Sequence, residues 1–431
     1  MNFLKKQSPV RIISLGFALV ILIGSVLLSL PCSIRDGVTL RYIDALYMST
    51  SAVCVTGLLT VDAGDTFTPL GQFFLGMLIQ VGGLGVTAVG TGVILAMGKK
   101  INLKARNLIR EAGNLDSGKG VIRFIRLVFL TTVTFELAGA ALSFLVFRKN
   151  FPPLKAAGVS LFHSVASFNN SGFDILGGGQ NLIPYQDDVL LNVVTCALVI
   201  FGGIGFLVIR EVIAKRFRWK KLSMHAKVVL FMSLVLTAAG TVLLKLTEDI
   251  TWMGAFFTSV SARTAGFSTF PLGSFSGAGL LTVIVLMVIG ASPGSTGGGI
   301  KTTTCYVLLE GIRSSATNTS EKAFRYAVPA DAFRKAAVIT LLAIGIVLSG
   351  TYILVILEPG VPFLDALFEM SSAFGTAGLS TGISAGLCDA AKILTILIMF
   401  IGRLGPLTIA SLWYFTKGER VSYPEGNIAI G

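Results

Sequence analysis

Apolar residues recur along this chain in long unbroken stretches, with polar residues confined to the short segments between them. Eight stretches reach the roughly 20 residues that a helix needs to cross a bilayer. They lie near 10–30, 69–97, 123–147, 188–209, 228–246, 278–312, 336–357 and 390–415. Four shorter ones, 42–53, 157–168, 251–262 and 362–373, are too short to span and read as re-entrant half-helices. The succession is long, short, long, four times over. It predicts an all-α integral membrane protein with eight transmembrane helices. No small-residue cleavage site follows the first stretch, which therefore reads as a retained span.

The short stretches align with each other without gaps. An aromatic stands at Tyr47, Phe162, Phe256 and Phe368, and ten residues later come Gly57, Gly172, Gly266 and Gly378, each followed by Leu or Phe. This internal repeat has a period of roughly a hundred residues and divides the chain at 1–110, 111–222, 223–325 and 326–431.

Composition agrees with the pattern. Of 431 residues 53% are hydrophobic and only 13% charged, where a soluble domain carries about a quarter charged. A soluble enzyme, a disordered chain and a nucleic-acid binder are excluded. Five scattered cysteines and two histidines offer no disulfide framework or metal site, and no His, Asp or Glu cluster suggests a membrane enzyme. The formal charge is +13, and its distribution is more informative than its total. With both ends of each repeat on one side, 26 of the 35 basic and eight of the 22 acidic residues share that side, a net +18. Examples are Lys99, Lys100, Lys104, Arg106 and Arg110. The other side has seven basic and 14 acidic residues, a net −7, while Arg263 and Arg403 fall inside the membrane. The positive side is then cytoplasmic, with both termini there, in a cell membrane. Asp62, Asp65, Asp174, Asp187, Asp188, Glu248 and Asp249 form an acidic outer rim. It either concentrates cations or merely marks translocated loops.

The four glycines carry the functional reading. Backbone carbonyls can replace the water shell of an alkali cation if a ring of them faces one axis, and turning them inward needs dihedrals that glycine adopts at low steric cost. The half-helices would aim their negative C-terminal ends at the bilayer centre. The candidate selectivity filter is Val55, Thr56 and Gly57, then Asn170, Ser171 and Gly172, Thr264, Ala265 and Gly266, and Thr376, Ala377 and Gly378. Asp44 and Asp365 are expected to cap the outer ends of two half-helices. Arg263 is read as an anchor behind the ion path, Asn169 and Asn170 as braces of the second hairpin, and Glu369, His163 and Glu136 as buried hydrogen-bonding groups.

Each second span has a further aligned point, Gly82 to Gly85, Gly202 to Gly205, and Gly402 to Gly405, where Arg403 replaces a glycine. An arginine inside a span is expensive and marks a functional site, unless it snorkels to the surface. In the third repeat Gly290, Ala291, Ser292, Pro293, Gly294, Ser295, Thr296, Gly297, Gly298 and Gly299 cannot form regular helix and are expected to make an intramembrane loop that splits this span, with Arg403 positioned to touch it. Neither glycine-rich run has the strand-to-helix setting of a nucleotide loop.

The hairpin segments, Val53 to Leu58, Ser167 to Phe173, Ala262 to Phe267 and Ser372 to Leu379, resemble those of the bacterial Ktr/Trk potassium transporters and their fungal Trk and plant HKT relatives. The resemblance covers essentially the whole chain, and the early first span makes it most similar to the Ktr membrane subunits. It implies four M1–P–M2 units around one pore, a gate under the filter formed by the loop Gly290 to Gly299 with Arg403, potassium uptake with sodium as an activator and no covalent cofactor, a homodimer, and a cytoplasmic nucleotide-binding RCK ring as partner, docked near the C-terminal tail. Gly57 argues for potassium, since sodium-favouring members often have serine there. The runner-up is a sodium-coupled transporter of an organic solute, which also uses broken helices.

Overall fold

A computed structural model describes residues 9–97, 121–329 and 331–411. Lys99 to Arg110, the boundary at 110/111 and the C-terminal tail from residue 412 lie outside the described residues. The helices begin with α1 (Pro9–Leu28), α2 (Tyr42–Cys54), and α3 (Pro69–Leu84) followed by α4 (Val86–Ala96). Next come α5 (Val121–Phe147), α6 (Pro153–Phe168), α7 (Val189–Ile204) and α8 (Phe206–Ala214). Then follow α9 (Met224–Thr247), α10 (Trp252–Ala262), α11 (Gly277–Val288) and α12 (Thr302–Thr317). The last are α13 (Ala332–Leu357), α14 (Phe363–Gly375), α15 (Asp389–Leu404) and α16 (Pro406–Ser411). One feature escapes an all-α reading, a two-stranded antiparallel hairpin pairing Lys322–Ala323 with Tyr326–Ala327.

Four helices, α1, α5, α9 and α13, are individually long and apolar enough to cross a membrane, and two bent pairs, α3 with α4 and α7 with α8, pass that test jointly. Their outer faces stay apolar, as at Leu19, Leu130, Leu137, Leu234 and Leu341, all more than half exposed. Solvent would penalise such a continuous surface, whereas hydrocarbon would not. The short helices are the reverse. In α2 every residue from Ala45 to Cys54 but Leu46 is buried, and α14 is buried from Phe368 to Gly375.

The order of packing positions these buried helices. Each short helix packs against the long helix before it, α2 on α1, α6 on α5, α10 on α9 and α14 on α13. Each also touches the second long helix of the preceding segment, α6 on α3, α10 on α7, α14 on α11, and α2 on α15. The last contact joins the end of the chain to its beginning, so the short helices surround a common centre.

The bends have a local cause. α3, α7 and α15 all end at a glycine in the left-handed half of φ space, Gly85 at 87°, Gly205 at 99° and Gly405 at 91°, where a side chain would be strained. The axes turn by 99° at Gly85 and 98° at Gly205. Between α11 and α12 the chain instead makes a loop over residues 289–301, closed by a bridge between Ile289 and Ile300.

Asp44 and Asp365 do not cap their helices. Neither α2 nor α14 has a side-chain cap, because each acid stands inside the first turn, two residues into the helix, rather than at the preceding cap position. α10 takes a true cap, from Thr251 to the Gly254 N–H at 3.0 Å.

Candidate ion pathway

The short helices end in four hairpins that share one pattern of left-handed residues. Two residues before each glycine, Val55, Asn170, Thr264 and Thr376 have φ of 56°, 57°, 78° and 49°, and the glycines themselves 96°, 69°, 77° and 79°. A left-handed valine or threonine is disfavoured for branched side chains, so its recurrence at one register marks an imposed geometry. The intervening amides turn back onto their helices, Thr56 N–H to the Ser51 carbonyl at 2.8 Å, Ser171 N–H to Ala166 and Ala377 N–H to Ser372 at 2.9 Å each. This satisfies the carbonyls at the helix ends. It leaves the hairpin carbonyls free of those helices.

The hairpins meet in a closed ring. A Cβ placed on Gly57 would strike the Ser171 carbonyl, and one on Gly172 would lie 2.8 Å from the Ala265 carbonyl oxygen and 2.7 Å from the Gly266 Cα. On Gly266 it would lie 2.9 Å from the Ala377 oxygen, and on Gly378 it would strike the Thr56 carbonyl. The order runs first to second, second to third, third to fourth and fourth back to first. The twelve hairpin residues singled out in the sequence are thereby brought to one place.

Outside this ring lies a cavity of about 490 Å³, lined by Gly57, Gly266 and Gly378 below and by Asp62 and Asp174 at the side. Much of the acidic rim is engaged structurally. Asp62 accepts from Gly179 N–H at 2.7 Å, Asp65 from Gly178 N–H at 2.8 Å, and Asp188 caps α7.

On the other side the 289–301 loop presses against the hairpins. Gly298 N–H donates to the Thr376 hydroxyl at 3.1 Å and the Thr296 hydroxyl to the Phe168 carbonyl at 3.2 Å. A Cβ on Gly297 would strike the Thr264 hydroxyl. Backbone bonds tie the loop to the α7–α8 break, Ser292 N–H to Gly203 at 3.0 Å and Phe206 N–H to Gly294 at 3.1 Å. Arg403 donates to the carbonyls of Thr296, Gly82 and, at 3.2 Å, Gly83. It does not snorkel. Lys301, at the loop's end, donates to the Gly297 carbonyl at 2.8 Å.

The remaining polar residues are supports. Arg263 points away from the ring, to the Ser233 carbonyl at 3.2 Å. Asn169 bonds Gln80 at 2.8 Å and Glu136 at 3.0 Å, joining α3, α5 and α6. Asn170 meets the Thr264 hydroxyl at 3.2 Å, His163 meets Thr195 at 2.9 Å and Glu369 accepts from Ser380 at 2.8 Å. One residue that sequence reasoning missed is Lys392, a buried lysine on α15 that reaches Asp44 at 2.7 Å. Its signal was available, a lone lysine near the start of an apolar span.

Comparison with known proteins agrees with this arrangement. The family model described as TrkH, cation transport protein, matches residues 10–416. The chain is 36% identical to the Ktr system potassium uptake protein B of Bacillus subtilis over 98% of this chain and 97% of that protein. It is 35% identical to the potassium/sodium uptake protein NtpJ of Enterococcus hirae, over 99% and 98% of the two chains. The crystal structure of the potassium transporter TrkH from Vibrio parahaemolyticus shares the fold, with a TM-score of 0.75 at 19% identity over 95% of this chain and 86% of that one. The chain belongs to the TrkH family of cation transport proteins.

Proposed function

We propose that this protein is the ion-translocating subunit of a Ktr-type potassium uptake system. The observation that carries the reading is the closed ring of Gly57, Gly172, Gly266 and Gly378. Relatives along nearly the whole chain named as potassium uptake proteins support it.

In this reading eight spans form four M1–P–M2 units, 1–110, 111–222, 223–325 and 326–431, in pseudo-fourfold array. Dehydrated potassium passes the carbonyls at Val55 to Gly57, Asn170 to Gly172, Thr264 to Gly266 and Thr376 to Gly378, where a ring of oxygens replaces its water. The loop Gly290 to Gly299, latched by Arg403 and stiffened by Lys301, is the gate beneath. The basic face, net +18, is cytoplasmic. A homodimer, a nucleotide-binding RCK ring on that face and sodium as activator complete the system. A sodium-coupled solute transporter is less well supported, since such proteins use two inverted repeats, whereas the four hairpins here close one ring.

The test is growth of a potassium-uptake-deficient bacterium at low potassium, with the chain expressed together with its regulatory partner. Rescue with saturable rubidium uptake is expected. Good membrane expression without rescue would refute the proposal.

A further inference from the structure

The basic face carries one patch in which unpaired cations and exposed aromatic rings lie together. We propose that this patch binds the headgroup of an anionic phospholipid. The basic residues of the α8–α9 connection and of the Lys322–Ala327 hairpin would meet the phosphate, and the aromatic ones would sit at the polar boundary of the bilayer. That the lipid belongs to the cytoplasmic leaflet rests on the charge reading above.

Two segments distant in the sequence make the patch. The α8–α9 connection brings Arg216, Phe217, Arg218, Trp219, Lys220 and Lys221, and the hairpin brings Lys322, Phe324 and Arg325, all of them exposed. The Trp219 and Phe324 rings meet edge to face at 5.8 Å and so join the two segments. None of the six cations forms an ion pair among the described residues. The neighbouring acids are already engaged, Glu211 with Lys215 and Ser223, and Glu310 with Arg313 and the Lys322 N–H. The hairpin and the residue before it add a single acid, Glu321. Behind the hairpin Lys227, only 8% exposed, faces the Tyr326 ring at 6.0 Å and has no carboxylate partner among the described residues.

Position favours lipid over a protein partner. α8 turns 98° from α7 and so leaves the line of that span. Phe324 also packs edge to face on Phe231, at 6.2 Å. Phe231 shares one face of α9 with Leu234, Val235 and Val242, the exposed apolar stripe of a helix long enough to cross a membrane. The hairpin tip therefore stands near the end of a lipid-facing stripe, where aromatic rings and basic residues both find favourable surroundings. The backbone adds a second argument. Arg216 and Phe217 close α8 with φ of 49° and 59°, and Phe324 turns the hairpin at 54°. Glycine is the usual residue at such positions, because a side chain there is strained. Here they carry a cation and two aromatic rings. Phe217 is 79% exposed, so packing within the protein does not offset its strain, whereas insertion among headgroups does.

The experiment uses the full chain with Trp219 as sole tryptophan, through Trp252→Phe and Trp413→Phe, reconstituted in phosphatidylcholine vesicles. Brominated lipid quenches a tryptophan that it touches. Brominated phosphatidylglycerol should quench Trp219 at about a fifth or less of the mole fraction that brominated phosphatidylcholine needs. Arg216→Gln with Arg218→Gln and Arg325→Gln should bring the two lipids within about twofold. Arg123→Gln with Arg126→Gln, exposed cations at the start of α5, should leave the preference unaltered. Should the triple variant fail to insert, Lys220→Gln with Lys221→Gln should lower the preference about twofold or more. Equal quenching by the two lipids overturns the site and leaves the patch to a cytoplasmic protein. So does an equal loss of preference in the α5 control, which would mean diffuse attraction only. No quenching by either lipid overturns it too, since the patch would then lie off the bilayer. Ion passage plays no part in this readout, so failure here leaves the pore reading standing.

Discussion

Lys392 and Asp44 form a buried ion pair, 2.7 Å between Nζ and Oδ1, with side chains only 3% and 8% exposed. They are far apart in sequence, yet the pair binds α15 to the first turn of α2 and so joins the last segment to the first. Arg41 adds a second contact to Asp44 at 3.0 Å from a more exposed position. Removing one partner of a buried pair leaves an unpaired charge, which costs about 3–5 kcal/mol, whereas replacing both with apolar groups is often close to neutral. Lys392→Met should therefore lower the melting temperature of the detergent-purified protein sharply, and Lys392→Met with Asp44→Leu should recover much of it. Additive losses in that double-mutant cycle would show that the two residues do not act as a pair.

Arg403 acts at the opposite end of the hairpins. Its guanidinium bonds carbonyls of two otherwise separate pieces, Thr296 in the loop and Gly82 and Gly83 at the end of α3. The planar fork of arginine holds the two pieces from separate nitrogens, Nη1 on Thr296 and Nη2 on Gly82 and Gly83, a spread that the compact ammonium of lysine does not match. Arg403→Lys should release one contact and raise rubidium flux severalfold without changing ion preference. Arg403→Met should raise it further in the fraction of protein that inserts. Equal flux in all three proteins would mean that the latch does not govern conduction.

The helices were legible because hydrocarbon imposes a simple code, about 20 apolar residues per span, and the hairpins because four copies occur in register. Even the loop after α11 was readable, since Pro293 among seven glycines and serines cannot be helical. Cross-chain pairing was not. Nothing local distinguishes Asp44, which binds Lys392, from Asp365, which has no such partner among the described residues, and both looked like caps. The left-handed Val55 and Thr376 were also hidden, because tertiary packing overrides the ordinary avoidance of that region by branched residues. The small hairpin at Lys322–Ala323 and Tyr326–Ala327 is too short to leave a periodic signal.

The ring itself predicts different outcomes at different glycines. A Cβ on Gly172 would come within 2.7 Å of the Gly266 Cα and 2.8 Å of the Ala265 oxygen, both backbone atoms that cannot turn aside. Gly172→Ala should abolish rubidium uptake while protein still reaches the membrane. At Gly57 the clash is chiefly with the Ser171 carbonyl, so Gly57→Ser should displace that oxygen and relax discrimination against sodium. Measured rubidium-to-sodium ratios that stay at the unaltered value would remove Gly57 from the selective ring.

The loop over residues 289–301 offers the most direct separation of structure from gating. It contributes no rung to the hairpin ring. Yet it fills the space beneath with Gly297 against Thr264 and Gly298 against Thr376. A Cβ at Gly298 would strike the Thr376 hydroxyl, which is why this surface carries glycine and can sit so close. Deleting Ser292 through Gly298 removes these contacts but leaves the four half-helices and their left-handed turns untouched. Rubidium flux should rise several-fold, while the preference for rubidium over sodium stays near its original value, because in the proposed function the carbonyl ring sets preference and the loop only obstructs. Flux that falls or stays level in a well-inserted deletion would mean that the loop supports the hairpins rather than closing the path. A change in preference without a change in flux would place it in the selective ring.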